Sequence, residues 1–190
     1  MRKVILTYGL QAGAIVSVLL LLGTALWVDG TISNDKGELI GYATMIVALS
    51  LVFFGVKSYR DNYLNGAIKF GKGFQVGILI TLIAAFMYAG TWEVYYQAKP
   101  ELRTTFMDKY IEQHLNKMKE QGASATEIEE QSKEMANMKE LYKNPLLRFG
   151  ITLTEILPVG IIITLISAAV LRRKEVLPLH ASSTSMTALF

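Results

Sequence analysis

Residues 4–28 read VILTYGLQAGAIVSVLLLLGTALWV, and no charged side chain interrupts them. A helix rises about 1.5 Å per residue, so about 20 apolar residues cross a hydrocarbon core about 30 Å thick. The stretch is long enough to span. It exceeds the apolar core of a signal peptide, which runs to about 7–15 residues. Arg2 and Lys3 precede it, as they would in a signal peptide, but no small-x-small cleavage site appears before Asp29. We read it as an uncleaved first span.

Three more blocks have the same character. They run from Leu39 to Val56, from Phe74 to Tyr96 and from Phe149 to Leu171. Inside a bilayer every backbone polar group must bond internally, so such blocks form helices or closed barrels. Barrel strands alternate apolar and polar positions over about 10 residues. These runs are continuous and longer. The expected fold is an all-α integral membrane protein with four transmembrane helices and an extracytoplasmic helical hairpin between helices 3 and 4. Residues 1–174 make one membrane domain, with the hairpin at 97–148 and a disordered cytoplasmic tail at 175–190.

Composition agrees and narrows the chemistry. Of 190 residues, 52% are apolar and 18% charged, against about 25% charged in soluble domains. Cysteine is absent, which excludes disulfides, thiolate nucleophiles and Cys-ligated zinc or iron–sulfur clusters. The two histidines, His114 and His180, lie outside the spans, so haem ligated by two histidines across the membrane is excluded. No H-E-x-x-H, G-x-S-x-G or Walker sequence occurs. The segment Gly71–Gly77 has the wrong glycine spacing for a phosphate loop and no preceding strand. No catalytic residue, metal or cofactor is expected, and no nucleic-acid partner.

Orientation follows from the flanks, because cytoplasmic loops carry excess Lys and Arg. Arg2 and Lys3 precede span one, and Arg172, Arg173 and Lys174 follow span four. The loop between spans two and three carries Lys57, Arg60, Lys69 and Lys72 against Asp61. The first loop sets Lys36 against Asp29, Asp35 and Glu38. Both termini and the second loop therefore belong in the cytoplasm. Long loops cross regardless of charge, so the balanced third connection does not oppose this. Trp27, Trp92, Tyr95 and Tyr96 then fall at outer helix ends, where an aromatic belt is expected.

The third connection reads as two amphipathic arms. One carries Phe106, Tyr110, Ile111, Leu115 and Met118 along a side and ends at Gly122. The other opens with Ser124 and Glu127, spaced as a capping box, and carries Ile128, Met135, Met138 and Tyr142. Asn144 and Pro145 suit the N-cap and first position of span four. The stripes can bury each other, but two helices alone are marginal. A third surface is expected, supplied by the bilayer, a homodimer or another membrane protein.

Small residues at four-residue spacing, Gly9 and Gly13, Gly37 and Gly41, Gly73 and Gly77, let helix backbones approach. Packing within the chain is the favoured reading over dimerisation. Glu93 and Glu155 are the charged residues inside spans, where ionisable groups are costly and often functional. Both lie in the outer half and are candidates to face each other as a proton relay or cation site. The plainer reading makes Glu93 interfacial and has Glu155 hydrogen-bond to a neighbouring helix in its protonated form. Lys57, Arg60, Lys69 and Lys72 are candidate contacts for anionic lipid headgroups.

The stretches Gly41-Tyr42-Ala43-Thr44-Met45, Phe53-Phe54-Gly55-Val56-Lys57-Ser58-Tyr59-Arg60-Asp61, Asn65-Gly66 and Phe70-Gly71-Lys72-Gly73-Phe74 carry a resemblance. So do Asn144-Pro145-Leu146, Glu155-Ile156-Leu157-Pro158-Val159-Gly160 and Arg172-Arg173-Lys174. Together they resemble the small membrane proteins grouped as domain of unknown function 4199, over residues 3 to 174. The resemblance implies a bacterial four-span membrane protein and assigns no activity, so no site residue carries over from it. The functional expectation from the residues is a non-enzymatic scaffold or regulator acting through the hairpin. The alternatives are a small oligomeric proton or cation transporter using Glu155 and Glu93, and an anionic-lipid-interacting protein.

Overall fold

The computed structural model describes residues 1–32 and 34–172. Arg173, Lys174 and the expected tail at 175–190 lie outside the described residues. Among the described residues six helices follow one another: α1 Arg2–Val28, α2 Asn34–Tyr63, α3 Phe70–Ala98, α4 Pro100–Glu120, α5 Ala125–Tyr142 and α6 Pro145–Val170. Four of them, α1, α2, α3 and α6, are long and apolar enough to cross a membrane, with mean hydropathies of 2.1, 2.2, 1.8 and 2.1. The chain is a multi-pass membrane protein. Its spanning helices present Leu10, Val18, Leu22, Leu39, Val47, Phe54, Phe86, Ile162 and Val170 on the outside of the bundle, an apolar shell that suits lipid.

Helix α3 is the axis of the bundle and packs against α1, α2 and α6. Two glycines let α1 approach it. A Cβ on Gly9 would stand 2.9 Å from Cβ of Ile83, and one on Gly13 would meet Met87 and, at 3.2 Å, the backbone of Ala84. On the other side, Gly73 meets Ala168, and a Cβ on Gly77 would approach Thr164 of α6 at 2.9 Å and Val52 of α2 at 3.3 Å. The remaining pair differs. Gly37 makes ordinary 3.7 Å contacts with Ile32 and Trp27, and Gly41 has nothing within 4 Å of a would-be Cβ. Lipid offers no hydrophobic drive between helices, so close van der Waals contact at small residues has to supply it. That contact is concentrated where Gly9, Gly13, Gly55, Gly73 and Gly77 lie, from the middle of the bundle to the end carrying Lys57, Arg60, Lys69 and Lys72, here termed the basic end.

Local signals set the connections. Asn65 and Gly66 both take positive φ, 50° and 85°, and turn the chain from α2 into α3. Gly122 at φ 82° stops α4. Ser124 Oγ accepts from the Glu127 amide while the Glu127 carboxylate accepts from the Ser124 amide, closing a capping box. Asn144 Oδ1 accepts from the Leu146 amide and Pro145 occupies the first turn of α6.

Two outcomes follow. Gly13→Leu should destabilise the detergent-solubilised protein by about 1–3 kcal/mol through overpacking. Gly90→Ala, where a Cβ meets nothing within 4 Å, should be neutral or stabilising by up to about 1 kcal/mol, since Ala is the better helix former. Thermal denaturation midpoints check both. Separately, hydrogen bonds from the Ser124 amide and hydroxyl hold the Glu127 carboxyl below its ordinary 4.5. A lowered folded value means the cap's contribution is present above 4.5 and is lost as pH falls through that lower value. Hydrogen-exchange protection at the start of α5, taken relative to the intrinsic rate at each pH, should fall in that acid window, and in Ser124→Ala it should be low throughout.

Candidate functional site

Antiparallel helices α3 and α6 meet along one line of side chains. From the hairpin end downward the contacts are Glu93 with Arg148, Tyr88 with Glu155, Thr81 with Gly160 and Thr164, and Gly73 with Ala168. On α6 the line runs Arg148, Thr152, Ile156, Gly160 and Thr164, all buried at four-residue spacing. That spacing keeps one helix face toward α3.

Arg148 stands at the top of the line and is 3% exposed. Its Nε donates to Glu93 Oε2 at 2.8 Å and Nη2 to Glu93 Oε1 at 2.6 Å. Nη1 donates to the backbone carbonyl of Tyr142 at 2.8 Å. The guanidinium carbon lies 4.2 Å from the centre of the Tyr96 ring. Both carboxylate oxygens, a carbonyl and an aromatic face thus engage one cation, the bidentate arrangement that suits arginine and not lysine.

Around this pair the foot of the hairpin packs into the bundle. Phe106 of α4 is the hub: its ring centre lies 4.9 Å from Trp92, 5.4 Å from Trp27, 5.9 Å from Tyr142 and 6.3 Å from Tyr96. Trp92 Nε1 donates to the Tyr142 hydroxyl at 2.6 Å. Burial pushes the Tyr142 hydroxyl well above its ordinary range, so it stays neutral. Trp92 and Tyr96 are therefore core residues of the hairpin junction and not members of an interfacial belt. The hairpin's third surface is the chain's own bundle. Lys109 Nζ donates to the Val28 carbonyl at 3.3 Å, Gln113 accepts from Trp27 Nε1 at 3.1 Å, and Lys117 pairs with Glu38 at 3.8 Å. These three contacts lay α4 along the gap between the ends of α1 and α2.

Beneath α4 is a cavity of about 550 Å³. Val16, Leu20 and Met45 give it apolar walls, and Trp27, Tyr42, Phe106 and Tyr110 give it aromatic ones. Lys117, Glu38, His114 and Gln121 lie at its mouth, and Tyr88 and Glu155 lie at its floor. Burial raises the Tyr110 hydroxyl above its ordinary value, so that wall carries no charge. Glu155 is exposed and lines this space, and its Oε2 accepts from the Tyr88 hydroxyl at 3.4 Å. Below the floor, Thr81 presses on Gly160 and bonds Thr164 at 3.1 Å.

The predicted acidic residues therefore part company. Glu93 belongs to Arg148 and Gln97, while Glu155 faces the cavity. They do not share a site. Gly41, with no close neighbour, lines the cavity wall. At the basic end Lys57 and Lys69 are exposed, Arg60 pairs with Asp61 at 2.6 Å and Lys72 donates to Gln75 at 2.9 Å. Sequence reasoning missed Arg148 because it adjoins the apolar block. Its signal was the four-residue spacing from Arg148 to Thr152, Ile156 and Gly160.

Arg148→Met should destabilise the hairpin junction by about 1–3 kcal/mol, because it leaves the half-buried Glu93 carboxylate without its cation and with Gln97 as its remaining partner. The Arg148→Met, Glu93→Gln double variant should recover part of the loss. Native-state trypsin cleavage within residues 99–143 reads the difference: fast in the single variant, slower in the double.

No curated protein and no solved structure matches the chain. The sequence model of one family, described as protein of unknown function (DUF4199), matches residues 7–173. With nearly the whole membrane domain and the hairpin inside that match, the chain is a member of the DUF4199 family.

Proposed function

We propose that this is a non-enzymatic binding protein of the bacterial inner membrane, whose outer helical hairpin regulates access to the cavity beneath it. Both termini and the basic end face the cytoplasm in this reading. One observation carries it: α4 lines the 550 Å³ cavity with Phe106, Tyr110, His114, Lys117, Met118 and Gln121, a face both aromatic and polar. A volume of this size, with apolar and aromatic walls and a few converging polar groups, is what small-molecule sites have. A hairpin serving only as a docking arm for another protein would have no need to close its stripe over a cavity.

Conduction by a relay of Glu155 and Glu93 is less well supported, since Arg148 neutralises Glu93 and Thr81, Gly160 and Thr164 close the bundle below Glu155. Contacts of Lys57 and Lys69 with anionic headgroups remain compatible with the binding role and would anchor the basic end.

The absence of cysteine makes the test direct. A single Thr44→Cys variant places one thiol on the cavity wall. A membrane-impermeant maleimide should label it from the periplasmic side only. Adding Phe106→Ala, which removes the partly buried ring at the centre of the junction and about 2–3 kcal/mol of packing, should raise the labelling rate at least about tenfold. Labelling from the cytoplasmic side, or a rate indifferent to Phe106, would sink the reading.

A further inference from the structure

We infer that the cavity takes an organic cation: an alkylammonium group against Glu155 with its apolar body along α1 and α2. The inference rests on the binding role proposed above and specifies the ligand.

Charge complementarity decides the class. At the mouth Glu38 is matched by Lys117. At the hairpin junction Glu93 is matched by Arg148. Among the described residues, Glu155 accepts one hydrogen bond, from the neutral Tyr88 hydroxyl at 3.4 Å, and has no ion pair. It is the one carboxylate facing the cavity without a cation, and it opens onto space and not onto packed protein. The walls reinforce the choice. Trp27, Tyr42, Phe106 and Tyr110 present aromatic groups to the same volume, and aromatic faces attract alkylated ammonium ions through the ring quadrupole. An anion would bring a second negative charge to the floor. A neutral apolar molecule would fill the walls but make no use of the carboxylate. Alkylammonium chemistry is available from two sources, a free amine or the amine headgroup of a phospholipid.

The test uses the full chain in nanodiscs of phosphatidylglycerol, which carry no ammonium. Trp27 lines the cavity and is one of only two tryptophans, so its fluorescence reports occupancy, with Trp27→Phe as the blank. The probes are tetrabutylammonium and an uncharged alcohol with the same butyl groups. The expected result is a saturable response to the cation, weakened at least about thirtyfold in Glu155→Gln and retained in Glu155→Asp. Retention in the aspartate variant separates loss of charge from loss of fold. Competition by added phosphatidylethanolamine would identify the lipid headgroup as the source. Absence of competition with binding intact would identify a free amine. Equal binding of the alcohol and the cation, unaffected by Glu155→Gln, would overturn the cation assignment and leave the covered binding site standing. No Trp27 response to either probe would overturn the assignment too. The labelling of Thr44→Cys would then decide independently whether the cavity is accessible.

Discussion

The hairpin end of the molecule depends on the accommodation of one arginine. Arg148 lies in the first turns of α6, where the chain passes from hairpin to span, and it is almost wholly buried. A guanidinium cannot lose its charge, so burying it demands partners for its donors. Glu93 supplies two oxygens, Tyr142 a carbonyl and Tyr96 an aromatic face. Those partners come from the end of α3 and the end of α5. Satisfying the cation therefore fixes three helices relative to one another. The aromatic hub around Phe106 can form only once they are in place, and that hub brings α4 over the gap between α1 and α2.

The two ends of the bundle solve the packing problem in opposite ways. From the middle of the bundle to the basic end, glycine removes side chains and lets α1, α2 and α6 approach α3 until contacts at Gly9, Gly13, Gly55 and Gly77 leave no room for a Cβ. At the hairpin end, Trp27, Tyr42, Tyr88 and Tyr110 hold the helices apart, and Gly41 and Gly23 have no neighbour to pack against. A bundle closed at one end and splayed at the other encloses a volume between them. Water-filled and open, that volume would weaken the polar pairs at its mouth. Helix α4 lies along part of it.

What the sequence made legible is what is local. Span lengths depend on a count of apolar residues, and the capping box, the Gly122 stop and the Asn144–Pro145 start each depend on neighbours within a few positions. These emerge in the structure as α1 to α6 with their caps. What it hid depends on register between distant segments. Whether Glu93 meets Glu155 or Arg148 is decided by how α3 and α6 align, and no single stretch records that alignment. Trp92 and Tyr96 looked interfacial for the same reason: their position along α3 is legible, while the presence of Phe106 and Tyr142 above them is not. Arg148 illustrates the limit well. Hydropathy assigns it to the loop, because a charge ends an apolar block. Its helical phase assigns it to the core, because Thr152, Ile156 and Gly160 repeat its position toward α3. Phase carries more weight than polarity here, since a partner on the facing helix can offset the cost of burial but nothing can turn the side chain to another face.

The same register separates the two acidic residues. Glu93 lies five positions after Tyr88 on α3, and Glu155 seven positions after Arg148 on α6. In antiparallel helices those steps carry them in opposite directions, Glu93 toward the aromatic junction and Glu155 toward the open interior. One becomes part of the scaffold, its charge cancelled by a cation from the same chain. The other faces a space that the chain lines and does not fill. A carboxylate in lipid-depth surroundings is costly, and the fold supplies it with a tyrosine hydroxyl but no counter-charge. Stability alone would be better served by a leucine at this position. The arrangement makes physical sense when the missing counter-charge arrives from outside the chain, through the space that α4 covers.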